Sequence, residues 1–406
     1  MRPSLWLHCR RFAVCALVLG HAVFAAGPAL AGRHSQPLAT GQTDCFDDLG
    51  LAIDCAGSGQ DGEFQAGAKR QLVDNGDGTI SDLATGLMWE KLSADGSVHQ
   101  FDNQYKLQST KIPELNATRF AGYTDWRVPN VRELETLQDF DRRGHATPTE
   151  FDHDCVPGCT ILTCSCLWRP AFYHSSSIYA ESAFFAWDVG FRLGWIHPIE
   201  KYSGQPIRAV RTIVGAHPRS RTLRTGQTRC YSLEPFERQE VPCAGTGEDA
   251  ETRTGLRRSF TDNADGTITD DVTGLTWEKL SSDGSIHDGN TATYYWDDSA
   301  LKMAQLNAER FAGHDDWRLP NIRELMTLRT ISRVGPAAYP AFNNHCEPGC
   351  STQTCSCSGT GGAFWSSTTL PYKRTEAWTL DVYAGAQLPL SKPLAHARVR
   401  AVRGGL

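Results

Sequence analysis

The chain has 406 residues, with 40 basic and 46 acidic side chains, a net charge of −6 and 14 cysteines. That length is too great for one ordinary hydrophobic core and suits two domains. The acidic balance argues against a general nucleic-acid binder, which needs a basic footprint.

Arg2, Arg10 and Arg11 precede an apolar run from Phe12 to Ala26, and Ala29-Leu30-Ala31 offers a small-x-small cleavage site. A basic flank, a short apolar core and such a site together read as a secretory signal peptide over residues 1–31. Gly20, His21, Gly27 and Pro28 interrupt the run. It is therefore short for the roughly 30 Å of hydrocarbon that an anchor must cross. No later apolar stretch is long enough to be an integral membrane segment. Cleavage would leave 37 basic and 46 acidic residues, a net charge of −9, and 12 cysteines.

Beyond residue 31 the chain repeats itself. Thr40-Gly-Gln-Thr43 returns as Thr225-Gly-Gln-Thr228, and Asp74-Asn-Gly-Asp-Gly-Thr-Ile80 returns as Asp262-Asn-Ala-Asp-Gly-Thr-Ile268. Thr85-Gly-Leu-Met-Trp-Glu-Lys-Leu92 returns as Thr273-Gly-Leu-Thr-Trp-Glu-Lys-Leu280, and Arg119 to Leu134 returns as Arg310 to Leu325. A period near 190 residues is a duplicated domain, far too long for a solenoid unit. The expected division is a first domain at 40–214, a polar, exposed linker at 215–224 and a second domain at 225–406.

Within each copy the elements follow in a fixed order. Cys45/Cys55, and Cys230/Cys243 in the second copy, read as local bridges closing small loops. Leu72-Val73 and Thr79-Ile80 flank an Asn-Gly-Asp-Gly turn, and Leu87-Met-Trp89 follows the next turn, so a β-meander starts here. Leu301, Ala304, Ala308 and Phe311 fall on one helical face ending at Gly313. Asn130 with Glu133, and Asn321 with Glu324, predict capping boxes that open a second helix. Short aromatic strands, Ala186 to Val189 and Ala377 to Leu380, lead to the closing strands at Ile207 to Arg211 and Val399 to Arg403. The class is α+β, two helices per copy packed on small antiparallel sheets.

The densest chemistry lies in Cys155, Cys159, Cys164 and Cys166, repeated as Cys346, Cys350, Cys355 and Cys357. Four close thiols could hold zinc, but export favours disulfides. A one-residue gap disfavours a bond between Cys164 and Cys166; the partners otherwise stay open among three pairings. Asp74, Asn75, Asp77 and Asp82 invite a calcium reading. Aligning Gly78 with the invariant glycine of an EF-hand puts Val73 and Ala84 at ligand positions, so only a looser calcium loop is possible, and an ordinary turn explains the same residues. His99 and His287 read as exposed loop histidines. Ser175-Ser176-Ser177 and Ser366-Ser367-Thr368 lack a nucleophile elbow. No catalytic triad, phosphate loop or dinucleotide fingerprint is present. The paired tryptophans, Trp89/Trp277, Trp126/Trp317 and Trp187/Trp378, read as core.

Asp-Gly-Thr-Ile-x-Asp, Thr-Gly-Leu-x-Trp-Glu-Lys, Asp-Trp-Arg-Val/Leu-Pro-Asn-x-Arg-Glu-Leu, Phe364-Trp-Ser-Ser-Thr368 and Arg-Ala-Val-Arg stand in this order in copy two. The series resembles the Lcl C-terminal domain family, a domain of unknown function named for its place at the end of a collagen-like adhesin. The resemblance implies a C-type-lectin-like fold related to that of the formylglycine-generating enzyme. It also implies an extracellular role in which a member binds sulfated polysaccharide and forms trimers. The chain departs from that pattern in lacking a collagen-like region, in carrying His174 where copy two has Trp365, and in its six cysteines per copy. The expectation is a secreted or periplasmic, non-catalytic binding protein with a glycan or cell-surface polymer as partner and no cofactor; the alternatives are an enzyme related to the formylglycine-generating fold and a structural envelope protein. The groove walls are expected in the cysteine loops and after Asp95-Gly96 and Asp283-Gly284.

Overall fold

A computed structural model describes residues 34–101, 110–142, 144–167, 172–201, 203–232, 239–359 and 361–405; the signal-peptide expectation lies outside them. In copy one, β1 (Cys45–Phe46) and β2 (Ala52–Ile53) form a hairpin before the one-turn α1 (Asp61–Phe64). A meander follows in β3 (Leu72–Asp74), β4 (Thr79–Asp82) and β5 (Leu87–Glu90), then α2 (Ile112–Ala117) and α3 (Val131–Thr136). The copy closes with β6 (Phe172–Ile178), β7 (Phe185–Gly190), β8 (Ile196–Glu200) and β9 (Val210–Thr212). Copy two runs through β10 (Cys230–Tyr231), β11 (Glu240–Val241), α4 (Asp249–Thr252), β12 (Phe260–Asp262), β13 (Thr267–Asp270) and β14 (Thr276–Glu278). Then come α5 (Asp298–Ala308), α6 (Ile322–Met326), β15 (Ala363–Thr369), β16 (Glu376–Asp381), β17 (Gln387–Ser391) and β18 (Val402–Arg403).

The class is α+β, with small antiparallel sheets, few helices and several disulfides. Each meander takes in the copy's closing strand, giving four-stranded sheets ordered β3-β4-β5-β9 and β12-β13-β14-β18. β1-β2 and β10-β11 are separate hairpins, and the remaining six strands form one sheet, β15-β16-β17-β8-β7-β6, whose halves meet through the single pair Gln387 and Ile196. Both capping boxes form: Asn130 and Asn321 accept from the amides of Glu133 and Glu324, whose side chains reach back. The six paired tryptophans are at most 2% exposed, so their indoles close the core.

Helix α5 turns a different face inward from the one the apolar spacing predicts. Leu301 is 69% exposed, while Lys302, Met303 and Leu306 are buried. The cause is charge: the Lys302 ammonium lies 2.9 Å from the fully buried Glu278 carboxylate and donates to the Val399 carbonyl at 3.1 Å. A buried carboxylate demands a partner, and that demand outweighs one leucine.

The two copies exchange their first segments. The segment from His34 to Ala66 reaches across to copy two, although Thr40 O and Gln42 Nε2 also bond the backbone of Phe140 in copy one. Ser35 donates to Val272 O at 2.8 Å, Gln42 accepts from Thr369 N at 3.0 Å, and Asn321 donates to Ala66 O at 3.2 Å. The matching segment before β12 lies on copy one in the same way. Ser220 donates to Ala84 O at 2.9 Å, Gln227 accepts from Ile178 N at 3.0 Å, and Asn130 donates to Thr254 Oγ1 at 2.8 Å. Val214, at the end of copy one, is 86% exposed, whereas Ser220, expected to be solvated in the linker, is buried. Its amide belongs to this docking. Across the centre of the molecule Arg132 of α3 donates to Met326 O at 2.9 Å, and Arg323 of α6 to Glu135 O at 3.3 Å. One hydrophobic cluster runs through both copies and includes Trp89, Trp187, Trp277 and Trp378.

Candidate functional site

The exchanged segments are latched by buried carboxylates. Asp61, first residue of α1, accepts from Thr368 Oγ1 of β15 at 2.7 Å, and Asp249 of α4 accepts from Ser177 Oγ of β6 at 2.7 Å. The serine and threonine runs that lack a nucleophile elbow thus serve as docking hydroxyls. Burial pushes both carboxyls up to about 6, because the charged form loses water that two hydroxyl hydrogen bonds replace incompletely. Beside each latch a lysine crosses the seam. Lys392 donates to Phe46 O and Asp47 O at 3.1 and 3.2 Å, and Lys201 pairs with Glu248 at 3.0 Å.

The seam between the first segment and copy two encloses a cleft of about 450 Å³. The segment supplies Asp47, Glu63 and Phe64; copy two supplies Trp296, Asp297 and Met303 among others. Arg318 stacks 5.6 Å from the Phe64 ring centroid while its guanidinium is tied to Glu324 at 2.6 Å. The Lys392 ammonium sits 3.9 Å from the Trp296 ring centroid. Burial lowers its pKa to about 8, against the nearby Asp297, Asp47 and Asp48. Desolvation and the neighbouring Asp48 and Asp47 raise Asp297. The cleft thus joins aromatic and aliphatic walls to a carboxylate-rich rim, in the volume range of small-ligand sites. The matching segment of copy one falls partly in residues 102–109, outside the described ones.

The cysteines fall into six bridges: Cys45–Cys55, Cys155–Cys166, Cys159–Cys164, Cys230–Cys243, Cys346–Cys357 and Cys350–Cys355. In each four-cysteine loop the pairs are nested. The loop then folds against the turn after β5 or β14. Ala94 donates to Cys159 O at 2.9 Å, Gly158 to Ala94 O at 2.7 Å, and Ser282 to Cys350 O at 2.9 Å. The two expected groove walls therefore lie flat on each other, and their residues do not line the seam cleft.

The calcium candidates are engaged locally. Asp74 pairs with Lys91 at 2.7 Å, Asp77 accepts from both the amide and the hydroxyl of Thr79, Asn75 donates to Thr79 and Ser81, and Asp82 accepts from Ala84 N at 3.0 Å. Among the described residues, the groups of three or more metal-capable side chains within 4.8 Å of one another are Cys155/Cys159/Cys166 and Cys346/Cys350/Cys357.

His99 and His287 are corrected from exposed to half-buried. Their Nδ1 atoms lie 2.7 and 2.8 Å from the buried carboxylates of Glu90 and Glu278, and each ring packs 4.5 Å from a phenylalanine, Phe120 or Phe311. The acidic partner sits nine residues upstream on a strand, a spacing that helical periodicity does not search. Glu90 also meets Lys111 at 3.0 Å and accepts from Ala209 N at 2.9 Å. Its saturated, buried surroundings make it a core charge network. The seam cleft was missed because its walls come from different copies. The sole sequence signal was the repeated Thr-Gly-Gln-Thr ahead of the shared motifs.

Among the described residues, no helix is long and apolar enough to cross a membrane. No curated protein matches the sequence. The model of the Lcl C-terminal domain matches residues 78–211 and again 266–403, more than half of the chain. The chain belongs to the Lcl C-terminal domain family and carries two tandem copies of its domain.

Proposed function

We propose that this is a secreted or periplasmic, non-catalytic binding protein that takes a carbohydrate or cell-surface polymer into the seam cleft, on a C-type-lectin-like frame. The observation that carries the reading is the cleft itself: aromatic Phe64 and Trp296 beside Asp47, Glu63 and Asp297. Sugar rings offer apolar faces to aromatic side chains and hydroxyls to carboxylates, and stapled loops on a rigid frame suit recognition. The acidic rim favours neutral or amino-bearing sugars and repels sulfated ones. Six disulfides suit an oxidising compartment. The rival reading, an enzyme of the formylglycine-generating type, calls for reactive cysteines, whereas every cysteine from Cys45 to Cys357 is bonded.

Glycan-array binding by the intact protein, repeated with Ala300→Trp to fill the cleft from its exposed wall, tests the proposal. Binding to neutral or amino-sugar polymers that the variant loses is expected. No binding to any glycan, or binding that the variant keeps in full, would overturn it.

A further inference from the structure

We propose that each nested pair of bridges in the four-cysteine loops is the oxidised form of a tetrathiolate site for a soft divalent cation, zinc by chemical class. The sulfurs of the two bridges touch. Cys166 Sγ lies 3.7 Å from Cys159 Sγ and 3.8 Å from Cys164 Sγ, although it is bonded to Cys155. Copy two repeats the arrangement, with Cys357 Sγ 3.7 Å from Cys350 Sγ and 3.9 Å from Cys355 Sγ. Zinc–thiolate bonds of about 2.3 Å place the sulfurs of a tetrahedral site about 3.8 Å apart. Cys155, Cys159 and Cys166 place three sulfurs within 4.8 Å of one another, as do Cys346, Cys350 and Cys357, so forming the site requires the bonded partners to separate and Cys164 or Cys355 to swing in as the fourth ligand.

The backbone holds the ligands in place independently of the bridges. Cys166 N donates to Leu92 O at 2.8 Å, and Arg208 donates to Cys166 O at 2.9 Å. Cys357 N donates to Leu280 O at 2.7 Å, and Arg400 donates to Cys357 O at 2.7 Å. Ala94 and Ser282 hold the Cys159 and Cys350 carbonyls in the same way. Cys164, Cys166, Cys355 and Cys357 are buried, while Cys155 is exposed and Cys346 half-buried, so an ion would enter from the side of the outer bridge.

The conversion needs a dithiol reductant. Each bridge accepts two electrons and two protons from one dithiol, which leaves as its own cyclic disulfide. The cation then displaces the four thiol protons and binds four sulfurs. The loop is thereby pinned in either redox state: by two covalent bridges when oxidised, by one ion when reduced.

The test reduces the full chain with a dithiol, removes oxygen and titrates cobalt(II), with near-ultraviolet circular dichroism of the tryptophans followed in parallel. Expected are thiolate-to-cobalt charge-transfer and tetrahedral ligand-field bands that saturate at one ion per cluster and are displaced by zinc. Cys355→Ser with Cys357→Ser should halve the stoichiometry. A reduced, folded chain without those bands would overturn the proposal, as would bands that the double variant leaves unchanged. Loss of the native tryptophan signal that cobalt or zinc does not restore would overturn it equally.

Discussion

The two copies share a frame, yet they close the same patch of sheet with opposite chemistry. In copy two Trp365, Thr379 and Leu388 stand in register across three strands. The Trp365 indole is fully buried and donates to Tyr294 O at 2.8 Å. In copy one the same row reads His174, Asp188 and His197. His174 Nδ1 lies 2.7 Å from Asp188 Oδ1, while His174 Nε2 and Asp188 Oδ2 are buried without partners. Burial, only partly offset by the imidazole, pushes Asp188 up to about 6. One topology therefore accepts an apolar plug or a polar pair, and the polar pair leaves orphaned atoms that the indole does not.

That contrast can be broken from the copy-two side first. Trp365→His imports the copy-one residue without its aspartate and deletes a buried indole. The expected loss is about 3 kcal/mol, read from urea unfolding. Asp188→Thr, the reverse import, strands the imidazole with no carboxylate. It should cost about 2 kcal/mol by the same measurement. An unfolding midpoint unmoved by either change would mean that the row does not close the sheet.

Acidity sharpens the comparison between the row and the latches. Asp61, Asp188 and Asp249 stand near 6 when folded, against 3.8 for an ordinary aspartate. A carboxyl raised by folding takes up a proton as the chain folds, so stability rises as pH falls through 6 and levels off below 4. Between pH 7 and pH 5 the gain should be about 1 kcal/mol per carboxyl. Asp61→Asn with Asp249→Asn should remove the latch share and leave that of Asp188. A flat stability profile in the parent protein would refute the assignment. The smallest effect concerns α5: Leu301→Ala should change stability by less than about 0.5 kcal/mol, whereas a larger loss would restore the face that apolar spacing predicts.

Much of the frame is written in local chemistry. Asn130 and Asn321 with their glutamates cap helices as their spacing requires, and the Asn-Gly-Asp-Gly turn makes its hairpin, because these signals act within a few residues. What local chemistry does not carry is partnership. Lys302 looks like the polar edge of a helix until Glu278 is placed beneath it. Asp61 looks like a surface residue until Thr368, 307 positions away, supplies a hydroxyl. In a duplicated chain, a contact within a copy and the same contact between copies leave identical motifs. The shared motifs therefore do not specify the exchange or the cleft it builds, and only the Thr-Gly-Gln-Thr ahead of them marks the segment that crosses.

The exchange is the central claim, and severing the connector tests it most directly. None of the six bridges spans residue 215, so a protease site inserted at the exposed Val214 divides the chain into two covalently separate pieces. Native mass spectrometry of the cleaved protein should show both pieces in one complex that dissociates only in denaturant. Pieces that separate under native conditions, each folded by itself, would contradict the exchange.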